Sequence, residues 1–94
     1  MKYYIVINEW LYPTESGREI ISDYDSRKEA EEAVTTQGMK EYDNFLKVNG
    51  DTYTAACGLY HNQDGSIAGY ALHSSQYEEE DMYFRSFIVE IESW

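Results

Sequence analysis

The chain predicts an α+β fold: a mainly antiparallel sheet of about five strands with one helix packed on a face, in the order β-β-α-β-β-β. Three observations carry that reading. Five segments are rich in β-branched and aromatic residues, one long segment has helical periodicity behind a capping signal, and Asp-Gly separates two of the strands. One domain spans residues 1–94, since a chain of 94 residues suits a single core and shows neither an internal repeat nor a linker.

Residues 3–12 (YYIVINEWLY) form the first strand. Neither of its faces is polar at the start, which predicts cover on both sides there and on one side later. Pro13-Thr14-Glu15-Ser16-Gly17 supplies a turn, with Pro fixing φ and Gly free to take a positive one. Arg18–Tyr24 returns as a second strand, hairpinned to the first.

Ser26-Arg27-Lys28-Glu29 has the form of a capping box, in which the serine oxygen accepts from the third helical N–H. Ala30, Ala33, Val34, Tyr42, Phe45 and Leu46 then fall in one stripe at ~100° per residue. Gly38 lies in the same stripe, where it either lets the helix approach a sheet or divides it in two. One helix is expected from about 27 to 47, ended by Asn49-Gly50.

Thr52–His61 and Ser66–Ser74 are the next strands, joined by Asn62-Gln63-Asp64-Gly65. With those four residues as the loop, His61 faces Ser66 and His73 pairs near Thr54. Gln76–Asp81 is an acidic connection. Met82–Ile91 closes the order, with Phe87, Val89 and Ile91 on one face.

Charge bounds the function. Eighteen acids against seven Lys and Arg give a formal −11. That leaves no basic surface to displace counterions from nucleic acid or to dock on an anionic membrane. It favours a basic partner, or solubility through self-repulsion. An apolar fraction of 43% with 16% aromatics, ten of them tyrosines, excludes a disordered acidic tail. The single cysteine makes no internal disulfide, and the N-terminal run has only three aliphatics before Asn8, too few for a secretory signal. No stretch approaches the ~18 apolar residues of a membrane span. A cytoplasmic setting is the expectation.

No constellation of catalytic residues emerges. His61 and His73 stand ~23 Å apart in the expected register, too far to share a metal. Cys57, between Ala56 and Gly58, reads as a small hydrophobe, since little positive charge is present to hold a thiolate. Asp23-Tyr24-Asp25 opens like a calcium loop, but Lys28 and Val34 fall where that loop needs Gly and Glu. The two aspartates suit a helix N-terminus instead. A strand carboxylate such as Glu9 acting with a histidine is the only enzymatic alternative, and nothing brings the two together. The chain is therefore expected to be no enzyme, without cofactor or metal.

The candidate partner-binding residues are Tyr77, Glu78, Glu79, Glu80, Asp81, Tyr83, Glu90 and Glu92. Four consecutive acids bracketed by aromatics combine desolvated contact area with a field that raises the association rate. Glu90 and Glu92 share a strand face ~6.6 Å apart, close to two base steps of ~3.4 Å per strand, so they can imitate a phosphate row. In size, charge and single-domain α+β order the chain is similar to the small phage-encoded inhibitors that mimic nucleic acid, including some anti-CRISPR and anti-restriction proteins. No motif matches one of those families residue by residue, and no site is carried over. The expected partner is a basic protein, such as a nucleic-acid-binding protein or nuclease, with no direct binding of nucleic acid or membrane. The alternative is an accessory protein forming a homo-oligomer through Tyr and Trp surfaces, with Trp10, Tyr12 and Trp94 as anchors and the acids serving solubility.

Overall fold

A computed structural model of the chain describes residues 2–11, 16–50, 53, 55–74 and 82–92, the side chains of Ser16, Ala55, Met82 and Tyr83 excepted. The elements are β1 (Lys2–Leu11), β2 (Ser16–Tyr24), α1 (Arg27–Asn49), β3 (Ala55–His61), β4 (Ile67–Ser74) and β5 (Met82–Glu92). All strand pairs are antiparallel, and the sheet order is β2-β1-β5-β4-β3. The α+β architecture expected from sequence is the one observed. The chain's last strand becomes the middle of the sheet, pairing the β1–β2 hairpin on one side and the β3–β4 hairpin on the other.

α1 lies on one face of this sheet, and strand alternation decides what it covers. Tyr4, Val6, Asn8 and Trp10 of β1 face it, beside Phe84, Ser86 and Ile88 of β5 and Tyr70 and Leu72 of β4. The core falls into two clusters. Phe45, Tyr70, Leu72 and Phe84 form one, with Trp10 and Tyr42 against it, and the Trp10 and Phe84 ring centroids stand 5.5 Å apart. Val6, Ala30 and Val34 form the other, flanked by Tyr4, Ile21, Tyr24 and Ile88. Between them runs a polar seam: Asn8 pairs with Ser86 across the strands, and Asn8 Nδ2 donates to Gln37 Oε1 at 3.0 Å.

The helix begins and passes the sheet as its sequence requires. Ser26 takes the extended backbone of an N-cap and its Oγ accepts from Glu29 N–H at 3.1 Å. Gly50 closes the other end at φ 55°, donating its N–H to Leu46 O at 2.8 Å. Gly38 does not divide the helix: a Cβ there would stand 2.6 Å from Tyr70 Cε1 and nearer still to Cδ1 and Cγ. Glycine is what lets α1 rest on that ring.

Three expectations need correction. The β3–β4 register is displaced by one at His61, which pairs with Ile67, and by two beyond it, where Tyr60 pairs with Gly69 and His73 with Ala56. Within the turn, Asp64 Oδ1 accepts from Ser66 N–H at 2.9 Å and Ser66 Oγ–H at 2.5 Å, which holds Ser66 in the loop and accounts for the first step. The second step is the irregularity between Tyr60 and His61. Cover on both sides of β1 is the second. Only the even-numbered face lies under α1, and among the described residues no element covers Tyr3, Ile5 and Ile7. Of the expected first turn, Pro13–Gly17, residues 13–15 lie outside the described residues, while Ser16 and Gly17 already belong to β2, paired with Leu11 and Trp10, and Gly17 takes no positive φ.

Candidate interaction surfaces

The sheet face turned away from α1 is built in rows, one residue from each strand. Gly58, Ala71, Arg85, Glu9 and Arg18 make one row across the five strands, in the order β3-β4-β5-β1-β2. The next row holds Tyr60, Gly69, Phe87, Ile7 and Ile20. Val89, Ile5 and Asp23 follow, then Ile91 beside Tyr3. The face is bulky over β1 and β5; over β3 and β4 it alternates small residues, Ala56, Gly58, Gly69 and Ala71, with Tyr60 and His73. A Cβ built on Gly58 would meet nothing within 4 Å.

A polar tether crosses this face. Glu9 is only 5% exposed, with Arg18 Nε donating to its Oε2 and Arg85 Nε to its Oε1, the latter at 2.9 Å. Burial pushes the Glu9 carboxyl up, but the hydrogen bonds and charges of the two arginines outweigh it and hold the group below its ordinary 4.5. Arg85 lies with Cζ 4.2 Å from the Phe87 ring centroid and hydrogen-bonds Tyr60. Tyr60 reaches there because β4 presents only Gly69 beneath it; a Cβ on Gly69 would stand 2.7 Å from the Tyr60 hydroxyl oxygen. Burial pushes that hydroxyl above its ordinary 10, against the Arg85 charge. Beside Glu9 and Arg18 is a hollow of about 370 Å³, lined also by Trp10, Leu11 and Gly17. A carboxylate ionised and held by two guanidiniums is a poor proton acceptor, so Glu9 loses its place as a general base.

Of the candidate binding residues, Glu90 and Glu92 are described in full. Both are exposed on the face opposite Phe87, Val89 and Ile91, with Glu90 Oε1 3.6 Å from Lys2 Nζ and Glu92 paired across the strands with Lys2. They share a face, but one lysine offsets part of their charge. Tyr83 lies seven residues from Glu90 along β5, ~23 Å away in an extended strand. The structure thus separates Tyr83 from the two glutamates. Tyr77, Glu78, Glu79, Glu80 and Asp81 lie outside the described residues, in the segment that joins β4 to the Met82 end of β5.

The histidines stay apart, His61 at the end of β3 and His73 on β4, and no group of His, Cys, Asp and Glu among the described residues could hold a metal ion. Cys57 is exposed and pairs with Leu72; the Tyr70 hydroxyl hydrogen-bonds it, and that bond with burial pushes Tyr70 up to about 12. Trp10, expected as a surface anchor, is instead half-buried beneath α1, its Nε1–H donating to Glu41 Oε1 at 3.4 Å. Tyr12 and Trp94 lie outside the described residues. No described helix is long and apolar enough to cross a membrane.

Sequence reasoning missed the Arg18–Glu9–Arg85 group and the bare apolar face around it. The signal was present in the odd positions of β1, where Glu9 sits in line with Ile5 and Ile7. Comparison with protein-family models, curated protein sequences and solved structures finds no match to this chain.

Proposed function

We propose that the chain is a non-enzymatic binding protein whose acidic surface occupies the basic site of a nucleic-acid-handling protein and competes with its nucleic acid. The supporting observation is how the cations are used. Arg18 and Arg85 are turned onto Glu9. Arg27 donates to Ser66 Oγ and Ile67 O and lies 5.8 Å from the Tyr4 ring centroid. Three of the seven basic residues therefore serve internal contacts, while Glu19, Asp25, Glu29, Glu32, Asp43, Asp64 and Glu92 stand exposed. Such a field draws a cationic cleft at long range and raises its association rate. The segment Tyr77–Asp81 with Tyr83 adds aromatic contact area to it, and Glu90 and Glu92 extend it along β5.

The test is capture from lysate on the immobilised chain at low salt, with elution by salt and by nucleic acid. A basic nucleic-acid-binding protein released by added DNA or RNA, and by ~1 M salt where the Debye length falls to ~3 Å, supports the reading. Reversal of Glu78, Glu79, Glu80 and Asp81 to lysine abolishes capture on this reading. Binding that survives 1 M salt, or that nucleic acid does not displace, overturns it.

A further inference from the structure

We infer that the outer edge of β3 docks an extended peptide segment of another protein, which joins the sheet as a sixth strand. Alternate apolar side chains of that peptide lie in the groove between β3 and α1, and its ends carry Lys or Arg. The site shares no residue with Tyr77–Asp81, Tyr83, Glu90 and Glu92.

The two edges of the sheet differ. β2 and β3 are its outer strands. An outer strand presents unpaired N–H and C=O groups, and proteins blunt such edges with charge, proline or bulges. β2 is blunted: Arg18, Glu19 and Asp23 stand along it, and its register with β1 shifts between Val6 and Ile7. β3 carries no Lys, Arg, Asp, Glu or Pro, and it pairs with β4 without a shift from Ala55 to Tyr60. Alternate residues of that run turn both backbone groups outward, about six groups in all. Ala56, Cys57, Gly58 and Leu59 are exposed, and no described element pairs the outer edge. An extended backbone is what matches such a row of donors and acceptors.

Beside this edge runs an apolar groove. Gln37 and Glu41 of α1 bond Asn8 and Trp10 on β1, so the opposite flank of the helix, with Tyr42 packed against the Tyr70 cluster, is turned toward β3. Met39 and Leu46 lie three residues before and four after Tyr42, hence on the same flank, and they are 58% and 43% exposed. Cys57 and Leu59 pair with Leu72 and Tyr70, which places them on the helix side of β3. Leu59 is 39% exposed, and the Tyr70 hydroxyl hydrogen-bonds Cys57. Side chains two apart on an added strand stand ~6.6 Å from one another, the same interval as Cys57 and Leu59 beneath them.

Charge selects the occupant. The strand itself is uncharged, but Glu32 and Asp43 are exposed seven residues before and four after Met39, and Asp64 is exposed in the turn that ends β3. Glu31 accepts from Ile67 N–H at 3.1 Å on the same side. Lys28 and Lys47 offset part of this charge. A peptide apolar at its centre and basic at its ends complements four acids against two lysines. Antiparallel pairing of two β3 edges instead sets the same acids against each other, which opposes a second copy as occupant.

Selection on the intact chain from a displayed library of random peptides of about ten residues, long enough to span β3, tests this. The selected peptides are expected to alternate apolar residues between basic ends. Leu59→Lys and Met39→Lys, both at exposed positions and both with an unchanged circular-dichroism spectrum, each weaken the synthetic peptide at least about tenfold in isothermal titration. Ile20→Lys on β2, 69% exposed in the wild type, leaves it unchanged. Methylation of alternate peptide amides abolishes binding, because the added ladder is lost. The bound peptide also slows alkylation of Cys57, the single cysteine of the chain. Affinity falls less than about tenfold between about 0.05 and 1 M salt, since screening weakens the rim charges alone, and this separates the site from the salt-sensitive association proposed above. A library that gives no binder, peptides that bind Leu59→Lys and Met39→Lys as they bind wild type, or a Cys57 already protected by self-association of the free chain overturns the inference.

Discussion

Gly38→Ala adds one carbon at the place where α1 touches the sheet. In an exposed helix interior the change gains about 1 kcal/mol, because alanine loses less backbone entropy than glycine. Here the new Cβ would sit 2.6 Å from Tyr70 Cε1 and nearer to Cγ and Cδ1. Those atoms are the base of a ring 9% exposed and packed with Phe45, Leu72 and Phe84, not the free end of a flexible chain. Relief therefore requires the helix to lift or the ring to leave its rotamer, and overpacking of this kind costs about 1–3 kcal/mol or more. The crowding begins below any tolerated carbon–carbon contact, so the upper end applies and exceeds the propensity gain. A net loss of about 2 kcal/mol is expected, equivalent to about 8–16 °C in Tm for a domain of this size. Urea unfolding followed by circular dichroism measures it, and the Tyr70→Ala background supplies the control. Alanine has no atom beyond Cβ and so lacks the Cγ, Cδ1 and Cε1 at fault, and there Gly38→Ala becomes neutral or stabilising by up to about 1 kcal/mol. Equal cost in both backgrounds refutes the idea that the glycine exists to seat the tyrosine.

Arg85→Ala leaves Glu9 buried with Arg18 as its one cation and removes the hydrogen bond to Tyr60; a loss of about 2 kcal/mol is expected by denaturant unfolding, below the ~3–5 kcal/mol of a fully orphaned charge because Arg18 remains. Stability should also depend on pH at both ends. The folded-state pKa of Glu9 is lowered, so its contribution is present above 4.5 and is lost as pH falls through the lower folded value; Glu9→Gln is less stable than wild type near neutrality, and the gap closes in acid. The Tyr70 pKa is raised, so its contribution is present below 10 and is lost as pH rises toward about 12; Tyr70→Phe flattens that alkaline limb, and an unchanged limb refutes the assignment. Asn8→Val with Ser86→Ala and Gln37→Leu removes the polar seam whole. Asn8 Oδ1 and Ser86 Oγ are buried without a hydrogen-bond partner, so the triple variant should be at least as stable as wild type in urea, whereas Asn8→Val alone strands the Gln37 amide.

Local chemistry was legible in the sequence, and non-local pairing was not. The Ser26 cap and the run of α1 follow from residues within a few turns of one another, and both were readable; Gly38 was readable only as either a close approach or a break, and Tyr70 on β4 decides between them. The β3–β4 register was misjudged by two: one residue where Asp64 captures Ser66, a contest between a side-chain and a ladder hydrogen bond that the Asp-Gly signal does not resolve, and one at the irregularity between Tyr60 and His61. For β1, two apolar faces were evident. That the helix covers one and leaves Ile5 and Ile7 bare depends on there being a single helix for a five-stranded sheet, and on β5 rather than β2 or β3 lying at its centre. The Arg18–Glu9–Arg85 group needs the same information. Arg18 is reachable from Glu9 by the hairpin, but Arg85 lies 76 residues away, and strand order alone brings it alongside. Trp10 shows the converse error: an aromatic near a strand end reads as a surface anchor until the helix above it is located.

The acidic surface and the sheet face turned away from α1 lie on different sides of the molecule. α1 covers one side and carries Glu29, Glu32 and Asp43 exposed to solvent, whereas on the other side Arg18 and Arg85 are both turned onto Glu9. On the proposed reading a basic partner therefore meets the acids of the helix side first, and salt loosens that contact by screening it. The same net charge of −11 opposes contact between two copies wherever their acids face one another.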